Sequence, residues 1–104
     1  MLKLKLSEAA HADIAATSLY YRNISPRLAH AFRLKLNHAI TTVRQRPGVG
    51  SLRFTHLYVN LTVRAWSLDR FPYQILYRVE HDRLHLLRVT HERSDVGPGT
   101  VAAP

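Results

Sequence analysis

Arginine is the residue type in this chain that can do the most chemistry. Twelve arginines accompany three lysines, Lys3, Lys5 and Lys35, and a guanidinium fork binds carboxylate or phosphate through parallel N–H donors. In the second half, Arg64, Arg70, Arg78, Arg88 and Arg93 are interleaved with Trp66, Gln74, Leu76 and His91. Arginine beside an aromatic ring can hold a phosphate and stack on a base. Cutting RNA without a metal needs a cation for the phosphorane and a base near the 2′-hydroxyl. Arg64, Arg78 and His91 are the groups the sequence offers for those two tasks. A competing reading puts Trp66 and Tyr77 in the core with arginines covering their rims, and for those two rings it is the stronger.

Other chemistries find less support. Seven histidines (His11, His30, His38, His56, His81, His85 and His91) stand without cysteine and with few carboxylates nearby. His81 and His85 are four apart, but across a connector and a strand, so the helical ligand pair of a zinc site does not form. No G-x-S-x-G turn positions a serine nucleophile. The loop around Pro47, Gly48 and Gly50 lacks the Lys-Ser/Thr of a phosphate-binding loop. The carboxylates are sparse and sit mostly in caps or connectors. No metal and no cofactor is expected.

Any of these side chains must be positioned by a small scaffold. A chain of 104 residues is about one domain, and can bury one core. No apolar run approaches the roughly 18 residues of a membrane span, and the start MLKLKLSEAA has no long apolar segment of a secretory signal. The absence of cysteine excludes disulfides and suits a reducing cytoplasm. The net charge of +8 predicts an anionic partner: nucleic acid, ribosome or an acidic protein segment.

Leu2, Leu4 and Leu6 alternate with Lys3 and Lys5, a half-buried strand. Ser7 is a helix N-cap with Glu8 in the first turn, and residues 8–22 form a helix burying Ala10, Ile14, Thr17 and Tyr21. Ser25 and Pro26 open a second helix, in which Leu28, Phe32, Leu36, Ala39, Ile40 and Val43 make an apolar stripe until Pro47 and Gly48 end it. Alternating runs then predict strands at 61–66 and 73–79, and an apolar run at 83–89 predicts a central strand, joined to the previous one by the short connector 80–82. Arg64, Trp66, Gln74, Leu76, Arg78, Arg88 and His91 can share one exposed side of the sheet, with the facing set by register. The tail 97–104 has no periodicity and reads as disordered. The whole is an α+β domain over 1–96, β-α-α-β-β-β, with a helical hairpin on one face of a small, mainly antiparallel sheet.

The second half carries a resemblance. Val63-Arg64, Arg70-Phe71-Pro72-Tyr73, Tyr77-Arg78-Val79, and Val89 followed by His91-Glu92-Arg93-Ser94-Asp95 resemble, in order and spacing, the RelE/ParE toxin superfamily, and within it the ParE branch. The resemblance implies the toxin half of a type II toxin–antitoxin module of the plasmid-stabilising kind, cytoplasmic and bound by a cognate acidic antitoxin. In the RelE branch it implies an mRNA endonuclease acting at the ribosome; in the ParE branch, an inhibitor of DNA gyrase. The nuclease positions match poorly: Gln74 and His91 stand where that branch carries arginine, Gly97 where it carries a late tyrosine, and only Arg64 fits a basic sheet position. The expectation is therefore a gyrase-binding toxin without its own catalytic residues. Its target or antitoxin contacts are expected at Arg64, Trp66, Arg70, Arg78, Arg88, His91 and Arg93. The alternatives are a nuclease using Arg64, Arg78 and His91, or a basic nucleic-acid-binding module or inactive relic.

Overall fold

The computed structural model describes residues 1–93; Ser94, Asp95, Gly97 and the expected disordered tail 97–104 lie outside the described residues. Strand β1 (Lys3–Leu6) leads into helix α1 (Glu8–Ile24), then helix α2 (Pro26–Gln45), and strands β2 (Arg64–Ser67), β3 (Tyr73–Glu80) and β4 (Arg83–His91) complete the domain. The sheet order is β1-β4-β3-β2. β1 runs parallel to β4 and the other pairs are antiparallel. Both helices lie on one face, giving the expected α+β arrangement.

Local sequence explains the helices. The Ser7 side chain accepts the Ala10 N–H at 3.0 Å and donates to the Leu87 carbonyl at 2.7 Å, so one hydroxyl caps α1 and ties it to β4. Ala10, Ile14, Thr17 and Tyr21 are its buried residues, and Phe32, Leu36, Ala39, Ile40 and Val43 those of α2. Ser25 stands at the N-cap of α2 but makes no side-chain capping bond. Pro26 at the first helical position needs no such partner for its own nitrogen.

β4 is central, as its two-sided apolar run predicts. Its register against β3 slips between Leu76 and Tyr77, because Leu76 faces Arg88 while Tyr77 faces Leu86. Leu87 is the extra residue of a bulge, and the bulge puts Leu87 and Arg88 on the same side. Ile75, Tyr77, Leu84, Leu86 and Val89 join the helices in the main core, while Leu76, Val63 and Ala65 form a second cluster on the outer face with Phe54, Leu57, Tyr58 and Leu87.

The segment 51–63 covers that outer face, and this differs from the sequence expectation. β2 begins at Arg64, not at Leu61, because the Val63 N–H donates to Thr55 Oγ1 at 2.9 Å and the Thr55 hydroxyl bonds the Leu61 carbonyl at 3.1 Å. Those bonds turn the chain away from β3 before a longer ladder can form. No helix among the described residues is long and apolar enough to cross a membrane.

Candidate functional site

A glycine-permitted close approach builds a concavity at one end of the sheet. After α2, residues 47–50 fold over the sheet end where β2 starts, and the Tyr77 hydroxyl donates to the Pro47 carbonyl at 2.7 Å while accepting the Gly50 N–H at 3.0 Å. A Cβ on Gly50 would lie 2.6 Å from that hydroxyl and 2.9 Å from Arg64 Cβ, so no other residue fits there. Arg64 Nη1 donates to the Gly50 carbonyl at 2.9 Å. Burial pushes the Tyr77 phenol above its usual value, which keeps its proton in place to donate. Beside these bonds lies a cleft of about 230 Å³ lined by Pro47, Gly48, Thr62, Arg64, Tyr77, Arg78 and Val79. Arg78 reaches it while paired at 3.4 Å with the half-exposed Glu80.

The outer face holds a second polar group. Gln74 and Thr90 are buried cross-strand partners, and Gln74 Nε2 and Thr90 Oγ1 have no hydrogen-bond partner. Arg53 Nη2 lies 3.4 Å from Gln74 Oε1 with its guanidinium over the Phe54 ring. Arg88, on the same face, wraps round the edge of β4 to α1: its Nε and Nη2 meet the two Asp13 oxygens at 2.8 and 3.0 Å. Asp13 also accepts the Val89 N–H at 2.9 Å, so this carboxylate closes the part of the β4 edge that short β1 leaves open.

Register separates the residues expected to share one exposed side. Cross-strand partners point to the same face, so Arg64 opposite Tyr77 and Trp66 opposite Ile75 lie on the helix side, as does His91 opposite Tyr73. Gln74, Leu76, Arg78 and Arg88 lie on the other. Tyr77 is fully buried, and Trp66 packs against the main core, which is the packing reading of both rings. His91 sits ring to ring with Tyr73 at 5.1 Å, its Nδ1 accepting the Arg93 N–H at 3.0 Å. Arg70 is exposed in the β2–β3 connection with φ 68°, and Arg93 is exposed beyond β4.

Arg64 and Arg78, although on opposite faces, line one cleft at the β3 edge, and His91 does not join them. Their β3 partners, Tyr77 and Tyr73, are four residues apart, about 13 Å along the strand. In-line cleavage needs base and cation within hydrogen-bonding reach of one phosphate. The Phe-Pro-Tyr segment works in packing: Phe71 and Tyr73 meet Tyr21 and Phe32 at ring distances of 5.2–6.2 Å, and the Pro72 carbonyl accepts the Glu92 N–H.

Sequence reasoning missed Thr62 and Arg53. Thr62 gave no signal beyond its place before β2. Arg53 stands next to Phe54, an arginine–aromatic pair of the kind that marked Trp66. Gly50 was legible only as part of a loop, since its need for a bare Cα arises from Tyr77, 27 residues away.

Comparison with known proteins bears on both halves of this architecture. A profile of the family described as the ParE toxin of type II toxin-antitoxin system, parDE, matches residues 4–96. A solved structure described as the chromosomal ParDE TA system from P. aeruginosa is similar with a TM-score of 0.70 and 25% identity, covering 88% of this chain and 96% of that one. A comparison with curated proteins finds no match. The matched residues take in both helices and the strands β2, β3 and β4 whole, with the order of elements that the resemblance implied. The chain belongs to the ParE toxin family and is a ParE-type toxin of a type II toxin–antitoxin system.

Proposed function

We propose that this toxin acts by binding, as an inhibitor of DNA gyrase, and that a cognate acidic antitoxin neutralises it in a cytoplasmic hetero-oligomer. The observation that carries the reading is the distance between Arg64 and Arg78 at one sheet end and His91 at the other, with neutral Gln74 between them. A missing electrostatic donor costs a phosphoryl-transfer site roughly 10²–10³ in rate, so a dispersed set favours docking over cleavage. The proposed contacts are Arg64, Trp66, Arg70, Arg78, His91 and Arg93, with Arg88 contributing by fixing α1 against β4. A charge of +8 complements an acidic partner and speeds encounter with it.

Gyrase supercoiling of relaxed plasmid, with the purified chain titrated in, tests the target. Inhibition with accumulating cleaved DNA is the expected result. Unimpaired supercoiling by a folded chain overturns the gyrase reading, and mRNA cleavage on programmed ribosomes, compared between wild type and His91→Ala, then becomes the experiment of choice.

A further inference from the structure

We propose that the Arg64–Arg78 cleft receives an acidic side chain from an extended peptide, whose main chain pairs with the open edge of β3 at Val79. The peptide as partner rests on the antitoxin reading; the site itself rests on geometry.

The β2–β3 ladder stops at Arg64 opposite Tyr77, while β3 continues to Glu80. Two residues, His81 and Asp82, join β3 to β4, with Glu80 opposite Arg83 and Arg78 opposite His85. After a two-residue connector these are the pairs that exchange hydrogen bonds with β4, so the alternation of an antiparallel ladder turns the Val79 N–H and C=O the other way. The same alternation directs the Ala65 main chain away from β3, and there Ala65 exchanges two 2.8 Å bonds with Ser51. At Val79 the corresponding side is vacant among the described residues, because the chain before Arg64 has turned off to Thr55.

Beside this open donor–acceptor pair stand two guanidiniums. Arg64 uses one nitrogen on the Gly50 carbonyl, leaving its other donors available. Arg78 shares only the half-exposed Glu80. A peptide strand is favoured over a nucleic acid on two grounds. A phosphodiester backbone has no N–H to offer the Val79 carbonyl. A space of about 230 Å³ is below the roughly 300–1,000 Å³ of pockets that enclose whole small ligands, and suits one side chain.

The test is an NMR titration of the full ¹⁵N-labelled chain with the peptide acetyl-Thr-Val-Glu-Val-Thr-amide, then with its Gln counterpart and with inorganic phosphate. The expected result is concerted, saturable shifts of the Val79 amide and the Arg64 and Arg78 Nε–H signals. Replacing Glu by Gln in the peptide, or Arg78→Gln in the protein, should weaken binding by about tenfold or more. Arg78→Gln keeps part of the side-chain stem and breaks one ion pair, that to the half-exposed Glu80, so it stays informative where an Arg64 variant fails to fold. Shifts centred elsewhere, absence of saturation, equal binding of the Gln peptide, or the same Val79 shift with phosphate each overturn the proposal. Capture of an acidic protein encoded beside the toxin separates the two readings. Equal capture by wild type and Arg78→Gln removes the site and leaves the antitoxin reading standing. No capture by wild type removes the antitoxin reading, while the peptide titration still decides the site.

Discussion

Asp13 carries more of this fold than a surface carboxylate would, because it makes three bonds to β4 from a helix: two to the Arg88 guanidinium and one to the Val89 N–H. Both side chains of the pair are less than one-fifth exposed, so removing Asp13 takes two charge-assisted bonds from the guanidinium and the acceptor from a main-chain donor in poorly hydrated surroundings. Asp13→Ala is expected to cost about 2–3 kcal/mol, lowering the melting temperature by roughly 10–20 °C; scanning calorimetry reads this directly. His85 provides a pH-dependent counterpart. Burial first, then the adjacent Arg78, hold its imidazole below its ordinary pKa of 6.5, outweighing Glu80 at 3.7 Å. The unfolded chain therefore binds a proton that the folded chain refuses. This contribution to stability is complete above pH 6.5 and declines as pH falls below it. Urea midpoints measured from pH 8 to pH 5 should fall for wild type, and His85→Gln should flatten that part of the slope.

Among the elements, the joint between β1, α1 and β4 is the most exacting. Ser7 caps α1 and donates to Leu87, so Ser7→Ala is expected to cost about 1–2 kcal/mol, with the loss seen as faster hydrogen exchange in the first turn of α1. Gly50→Ala forces a Cβ onto the Tyr77 hydroxyl and Arg64; overpacking of this kind costs about 1–3 kcal/mol, and the cleft should lose its shape with it. The cap was legible from Ser7-Glu8, and the helical stripes from spacing, because both are set within one or two turns of sequence. The central place of β4 followed from its two-sided apolar run. The facing of Arg64, Trp66 and His91 was not legible. It depends on which strand residues pair and on the Leu87 bulge, and a one-residue shift exchanges the two faces. The cover over the outer face escaped for a similar reason. Thr55 holds the 51–63 segment by side-chain bonds to Leu61 and Val63, and no local propensity announces such bonds.

At the scale of the whole molecule, the distribution of charge matters more than its total. Four carboxylates, Asp13, Asp69, Glu80 and Asp82, are paired to Arg88, Lys35, Arg78 and Lys3, leaving eleven of the fifteen lysines and arginines without a carboxylate within salt-bridge distance among the described residues. α2 contributes Arg27, Arg33, Lys35 and Arg44 and no acidic residue. A field of one sign over a compact domain acts at long range on an approaching anionic partner, and raises the association rate more than it lengthens the complex's lifetime. Raising salt from about 0.05 M to about 0.5 M shortens the screening length from roughly 14 Å to roughly 4 Å. Association with an antitoxin of the acidic kind proposed should then slow about tenfold or more, while dissociation from a well-packed interface changes little. Stopped-flow association across that range is the measurement. An association rate indifferent to salt would assign the excess arginines to solvation alone and leave the Arg64–Arg78 cleft to account for any charge selectivity by itself.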